Sequence, residues 1–392
     1  VFHFFIQPLD RRQRHAVGIH GGDVFVVRAE AESRAKILRH GAEVLLVDPE
    51  LDESLKEVGA PRRFVVSAET DRRLYIPDRE PTAWEPDESA TATINYTSGT
   101  TARPKGVELT HRNLWVNAAT FGWRAGVSER DTYLHTLPMF HCNGWGMIYA
   151  TIGMGVTQVV LRKVDGAEIL RRVERHGVTF ACAAPAVVAA ALDAVEGFDP
   201  VPGRETVRVI VAGAPPPTRT IERVEAELGW EFIQIYGLTE TAPLLTMNRC
   251  RSEWDNLPPA QQAARLAAAE APPIGIRLRT DASGEVLARG NHVLEGYWDQ
   301  PESTSAAIVD GWFHTGDIGY RDADGFYYIA DRKSDMIIRG GENIYPREIE
   351  DRLTLHPAIA DAAVLGAPDD EWGERVVAVI VVRPGEVAPT LD

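Results

Sequence analysis

Residues 96–113 read YTSGTTARPKGVELTHRN. Thr97, Ser98, Gly99, Thr100 and Thr101 crowd small hydroxyls and a glycine into one turn, and Lys105 follows at short range. Backbone N–H groups in a glycine-bearing turn after a strand form an anion-binding concavity. Hydroxyls add donors and a lysine adds positive charge, so a polyphosphate is the first ligand to consider. The pattern G-x-x-x-x-G-K-[ST] does not fit. Counted from Gly99, its second glycine falls on Pro104, and Lys105 is followed by Gly106. Alone, the stretch also reads as a solvated Ser/Thr linker, because polar loops are common. The apolar strand before it and the close Lys, Pro and Gly favour a built site.

Five further stretches carry chemistry. "LPMFHCNGW" (137–145) sets His141 and Trp145 in apolar surroundings. "AGAPPP" (212–217) brings Gly213, Ala214 and Pro215 to a turn, and "YGLTETAP" (236–243) presents Tyr236, Gly237, Thr239 and Glu240. "GWFHTGD" (311–317) ends on Asp317, and "DRKSDMIIRGGENIYPREIE" (331–350) opens on Asp331 and Arg332. Singly, each has an ordinary explanation. Glu240 reads as an acid at a helix start, Tyr236 as a core tyrosine at a strand end, and Gly213 as a plain strand-to-helix turn. Asp317 reads as a turn residue after Gly316. His141 reads as a satisfied core histidine, and Trp145 as a buried tryptophan one helical turn further on.

Taken in order from residue 96 to residue 350, the six stretches resemble the signatures of the adenylate-forming superfamily: acyl-CoA synthetases, adenylation domains of peptide synthetases, and luciferases. That resemblance implies ATP, Mg²⁺ and coenzyme A as reactants with a small carboxylic acid. Thr97, Ser98, Gly99, Thr100, Thr101 and Lys105 would hold the β- and γ-phosphates. Glu240 would bind Mg²⁺ with Thr97 as a second contact, since hard oxygens suit that ion. Thr239 would contact the α-phosphate, Tyr236 would stack on adenine, and Gly213, Ala214 and Pro215 would line the adenine slot beside Gly237. Asp317 would accept from the ribose hydroxyls with Arg332 nearby. His141 would lie between acyl pocket and adenylate, Trp145 would gate the acyl tunnel, and Asp331 would be the hinge on which a small domain turns. Gly340 and Gly341 would line the pantetheine channel.

The elements that must position these residues read as an α/β chain. Strands are expected at 42–48, 62–67, 91–96, 207–217 and 231–243, with helices at 111–126 and 218–229, the latter capped by Thr218. Residues 166–195 read as helix, strand, helix, with Pro185 opening the second helix. Such an order signals a mostly parallel sheet, which collects ligands at the carboxyl ends of its strands. From 284 the texture turns to antiparallel strands with Asp-Gly turns. The resemblance implies a large domain of stacked, mostly parallel α/β sheets over 1–331, its 1–90 part atypical or incomplete and 284–331 a small β subdomain. A truncated, mobile α+β domain would follow over 332–392.

Composition narrows the class. A chain of 392 residues holds more than one core. Its 57 acids against 41 Lys and Arg give a net charge of -16, which argues against nucleic acid and anionic lipid as partners. Three cysteines without CxxC spacing point to a reducing compartment, taken as cytoplasm. No apolar run reaches the ~18 residues of a membrane span. A homodimer is compatible with this class. Ala102 stands where the superfamily most often has glycine, and it hints, with "PMFHCNGW", at the fatty acyl-CoA ligase subgroup. The chain stops before the superfamily's late G-K motif, whose lysine would contact the reacting carboxylate; Lys105 belongs to the pyrophosphate side. The expected function is acyl-CoA synthesis from a medium- or long-chain fatty acid. An aryl or other small acid, or a truncated nucleotide-binding homologue without full turnover, are the alternatives.

Overall fold

The computed structural model describes residues 5–8, 23–27, 44–53, 55–56, 61–74, 87–97, 105–139, 141–213, 217–339, 342–369, 372–383, 385–387 and 389. Ser98, Gly99, Thr100, Thr101, Ala214, Pro215, Gly340 and Gly341 lie outside the described residues, as does Ala102.

The site rests on a six-stranded sheet. Its order is Leu244–Arg249, Glu231–Gly237, Arg208–Val211, Phe180–Ala183, Thr132–His135, Thr157–Val160, parallel except for the first strand. Both faces are buried, as helical crossovers on a parallel sheet require. Alternate residues go to opposite cores: Val209 and Val211 join one cluster, Ile210 and Ala212 the other. The crossover helices start and stop on local signals. Asp165 caps Gly166–His176 by accepting from Glu168 N at 2.7 Å, and Gly177 ends it at φ 60°. Pro185 opens Pro185–Asp193 at a position where no donor is lost. Thr218 is not the cap expected of it. It is the first residue of the Thr218–Arg223 helix, Pro217 holds the cap position, and no side chain caps the end.

Several strands escaped the sequence reading, among them two that shape the site. Lys105–Thr110 pairs antiparallel with Thr91–Thr97, in register Thr97↔Lys105. The hydroxyl-rich turn therefore bridges two strands of a hairpin instead of leading straight into a helix. The helix His111–Ala125 begins only after Thr110, which forms a reciprocal cap with Asn113. Leu244–Arg249 folds back antiparallel on Glu231–Gly237, and the return is tight. A Cβ on Gly237 would stand 1.6 Å from the Pro243 carbonyl oxygen, so glycine is demanded there by backbone packing.

The antiparallel β region begins at Ile276, earlier than the sequence suggests. It runs Ile276–Thr280, Glu285–Gly290, Trp312–Arg321, Ile308–Val309, with Tyr327–Arg332 on the Trp312–Arg321 strand. A last sheet orders Glu342–Ile344, Ile337–Arg339, Gly373–Val382 and Ile359–Asp369, accompanied by the helix Pro346–Thr354. A four-stranded sheet of Phe5–Pro8, Asp23–Val27, Val44–Val47 and Arg62–Val65 precedes the hairpin.

Gly237→Ala is expected to destabilise the protein by about 2–4 kcal/mol, the cost of a forced backbone shift in a packed turn. Denaturant midpoints of the two proteins measure this, and equal midpoints would mean that the turn is not packed as described.

Candidate active site

Parallel strands deliver their carboxyl ends to one edge of the sheet. Gly213 follows Arg208–Val211, Thr239 and Glu240 follow Glu231–Gly237, and His141 and Trp145 follow Thr132–His135. The hairpin adds Thr97 and Lys105, and the β region adds Asp317, Asp331 and Arg332. All of these, with Tyr236 and Gly237, line one cleft of about 1330 Å³. Every expected site residue among those described is thus brought together, although they come from six separated stretches.

Two carboxylates dominate its electrostatics. Asp317 is 7% exposed and accepts from the Tyr236 hydroxyl at 2.7 Å. Burial pushes its pKa up to about 6, against the pull of Tyr236 and Arg332. Arg332 is its cross-strand partner. Glu240 accepts from the Tyr297 hydroxyl at 3.0 Å. Burial raises its pKa too, opposed by a backbone bond, Tyr297, Lys105 and Arg332. The Tyr236 hydroxyl is therefore engaged with the carboxylate expected to hold ribose, while its ring keeps a place on the cleft wall.

The remaining residues frame these anions. Gly213 has φ 96°, and among the described residues nothing stands within 4 Å of where its Cβ would be. Burial lowers the His141 pKa, so its imidazole is neutral at pH 7. Trp145 lines the cleft yet is 4% exposed, and Phe121, Tyr133, Phe180 and Met247 share its core cluster. It lies in the short turn Cys142–Trp145 with φ 58°, so the regular helix face expected for His141 and Trp145 is absent. Asp331 accepts from Arg332 N at 2.8 Å and from Arg347 N, in the first turn of Pro346–Thr354, at 3.0 Å. The residue expected as a hinge thereby ties the β region to the last unit.

Two residues that no motif flags prove central. Tyr297 orients Glu240. Glu285, 6% exposed, accepts from Gly316 N and Lys333 Nζ, both at 3.0 Å, and lies 3.3 Å from His314 Nδ1. It braces the turn before Asp317. Asp281, Glu285 and His314 have ligand atoms within 4.8 Å of one another, but the Lys333 ammonium already compensates Glu285. Glu240 with Thr97 suits a divalent cation better: its carboxylate is partly buried, no lysine or arginine ion pair compensates it among the described residues, and it faces a cleft with a second hard oxygen.

A raised carboxylate pKa makes ionisation costly in the folded state. For Asp317 the cost is absent below about pH 4, grows towards pH 6, and reaches about 3 kcal/mol above it. Asp317→Asn should therefore melt at higher temperature than wild type at pH 7.5, with the gap narrowing as pH falls to 5. Melting curves across that range test this, and identical curves at pH 7.5 would show that the carboxylate is not desolvated.

Known proteins share both sequence and fold with this chain. It matches the AMP-binding enzyme family over residues 22–298 and the AMP-binding enzyme C-terminal domain over 348–392. A 2-methylpropanoate–CoA ligase of Humulus lupulus is 41% identical over 308 residues, covering 74% of this chain and 54% of the ligase. An acetate–CoA ligase of the same plant is 37% identical over 322 residues, covering 77% and 56%. The chain spans about half the length of the curated relatives it matches. Among solved structures, the o-succinylbenzoate CoA synthetase of Bacillus subtilis in complex with its acyl-adenylate intermediate is 29% identical, with a TM-score of 0.78 over 93% of this chain and 74% of that one. ATP-bound MatB of Rhodopseudomonas palustris is 27% identical, with a TM-score of 0.80 over 92% and 73%. With its cleft assembled from the same six stretches that first suggested the kinship, the chain is a member of the AMP-binding enzyme family.

Proposed function

We propose that the protein activates a small carboxylic acid with ATP and passes the acyl group to coenzyme A. The observation that carries this reading is the meeting of Lys105, Glu240 and Asp317 in one cleft that Trp145 also lines. A carboxylate oxygen would attack the α-phosphorus, and the bond to pyrophosphate would break. The coenzyme A thiol would then attack the acyl carbonyl and release AMP. The acid is already ionised near pH 7, so no base is required for the first step. Alignment and charge compensation are what the site must supply.

Within this reading, Asp317 holds the ribose hydroxyls beside Arg332. Thr97 and Lys105 meet the β- and γ-phosphates, together with the residues of the hydroxyl-rich turn. Thr239 meets the α-phosphate, and the Tyr236 ring faces adenine. Glu240 and Thr97 would hold Mg²⁺, which when bound neutralises phosphate charge. Neutral His141 separates the acyl end from the nucleotide without adding charge.

Trp145 supports one reading of the substrate class. A medium- or long-chain fatty acid needs an apolar channel beyond it, whereas Trp145 is packed into the core there. That favours the small-acid alternative, in keeping with relatives named for 2-methylpropanoate and acetate. A cytoplasmic location belongs to the same reading on the strength of three free thiols, although one relative, an acetate/butyrate–CoA ligase of Arabidopsis thaliana, is named as peroxisomal. No helix among the described residues is long and apolar enough to cross a membrane.

ATP–pyrophosphate exchange tests the proposal with acetate, 2-methylpropanoate, benzoate and octanoate. Exchange should depend on acid and be fastest with the short acids. Trp145→Leu should raise the octanoate to 2-methylpropanoate ratio of kcat/KM by about tenfold, the scale of a few methylenes gained in a pocket. Octanoate preferred by wild type would overturn the small-acid reading. Absence of acid-dependent exchange with every acid would leave nucleotide binding without turnover.

A further inference from the structure

The segment 291–298 lies between the two charged halves of the proposed site. On one side it is bonded to the hairpin strand that carries Lys105: Trp298 N donates to Gly106 O at 2.7 Å and Glu295 N to Glu108 O at 3.1 Å. On the other, Leu294 N donates to Glu240 O at 2.8 Å. Asn113 Nδ2, from the first turn of the helix after the hairpin, donates to the carbonyls of Asn291 and Val293 at 2.8 and 2.9 Å. The segment is therefore a bracket fixed at both ends.

Tyr297 is the side chain this bracket presents. It pairs with Val107 across the ladder, so it shares a face with Lys105, two residues from Val107. Lys105 Nζ stands 4.7 Å from the centroid of the Tyr297 ring, and the Tyr297 hydroxyl donates to Glu240 Oε1 at 3.0 Å. Tyr297 is 6% exposed and lines the cleft. A phenol offers a negative ring face to a cation and a positive O–H to an anion, which a phenylalanine or a glutamine could do only by half.

We propose that Tyr297 is a positioning residue that couples the phosphate-binding lysine to the metal-binding carboxylate. Its ring seats the Lys105 ammonium, and its hydroxyl sets the rotation of the Glu240 carboxylate. This rests on the roles given above to Lys105 and Glu240 and adds the link between them. The hydroxyl then matters only when the metal is present, and the ring matters with or without it.

Direct binding of ATP to the full-length protein, in EDTA and with Mn²⁺, separates the two contacts. Y297F should bind metal-free ATP within about twofold of wild type and Mn²⁺–ATP about tenfold more weakly, the loss of one charge-assisted hydrogen bond. Y297L should weaken both forms, metal-free ATP by about fivefold. Melting temperatures without ligand check that each variant folds. Should Y297L not fold, K105M and the K105M/Y297F pair replace it: K105M should weaken both forms, and Y297F added to it should weaken only Mn²⁺–ATP further. Y297F that matches wild type with Mn²⁺, or that loses both forms equally, overturns the coupling alone. Wild type whose ATP binding ignores Mn²⁺ overturns the metal role of Glu240 together with the coupling.

Discussion

Two carboxylates in this cleft, the buried Asp317 and the partly buried Glu240, are each held by a tyrosine hydroxyl: Asp317 by Tyr236 at 2.7 Å, Glu240 by Tyr297 at 3.0 Å. Burial disfavours their charge, and Arg332 and Lys105 offset that only in part. An anion in this condition is a ready receptor for hydroxyl donors or for a cation, because binding supplies further compensation. The phenols keep both carboxylates oriented without neutralising them. Stability given up at such positions is a common feature of working sites.

The scaffold serves to keep these groups in place. A parallel sheet sends three strand ends to the same edge, and the antiparallel return at Gly237 fixes where Glu240 emerges. Glu285 does the corresponding work for Asp317, gripping Gly316 and Lys333 from the neighbouring strand. Asp331 reaches across to Arg347 N and so joins the β region to the last sheet.

Much of this was legible in the residues. The motifs named Lys105, Glu240, Asp317 and Trp145, and the strand–helix alternation foretold the parallel sheet. What stayed hidden has physical reasons. The Lys105–Thr110 strand is short, starts on a lysine and glycine, and runs directly into a strong helix cap at Thr110, so the helix signal masks it. Leu244–Arg249 follows a turn held by backbone contact, for which Gly237 is the sole sequence trace. Tyr297 and Glu285 act through partners distant in sequence, and a lone tyrosine or glutamate carries no spacing to read. Thr218 looked like a cap because threonine caps often, but Pro217 takes that position.

The most direct measurement of the central claim is the anomalous diffraction of a crystal grown with ATP and Mn²⁺ in place of Mg²⁺. The Glu240 carboxylate should draw the ion, giving a peak roughly 2.0–2.3 Å from one of its oxygens, with the ribose hydroxyls on Asp317. A peak among Asp281, Glu285 and His314 instead, or nucleotide bound with no ion at Glu240, would contradict it.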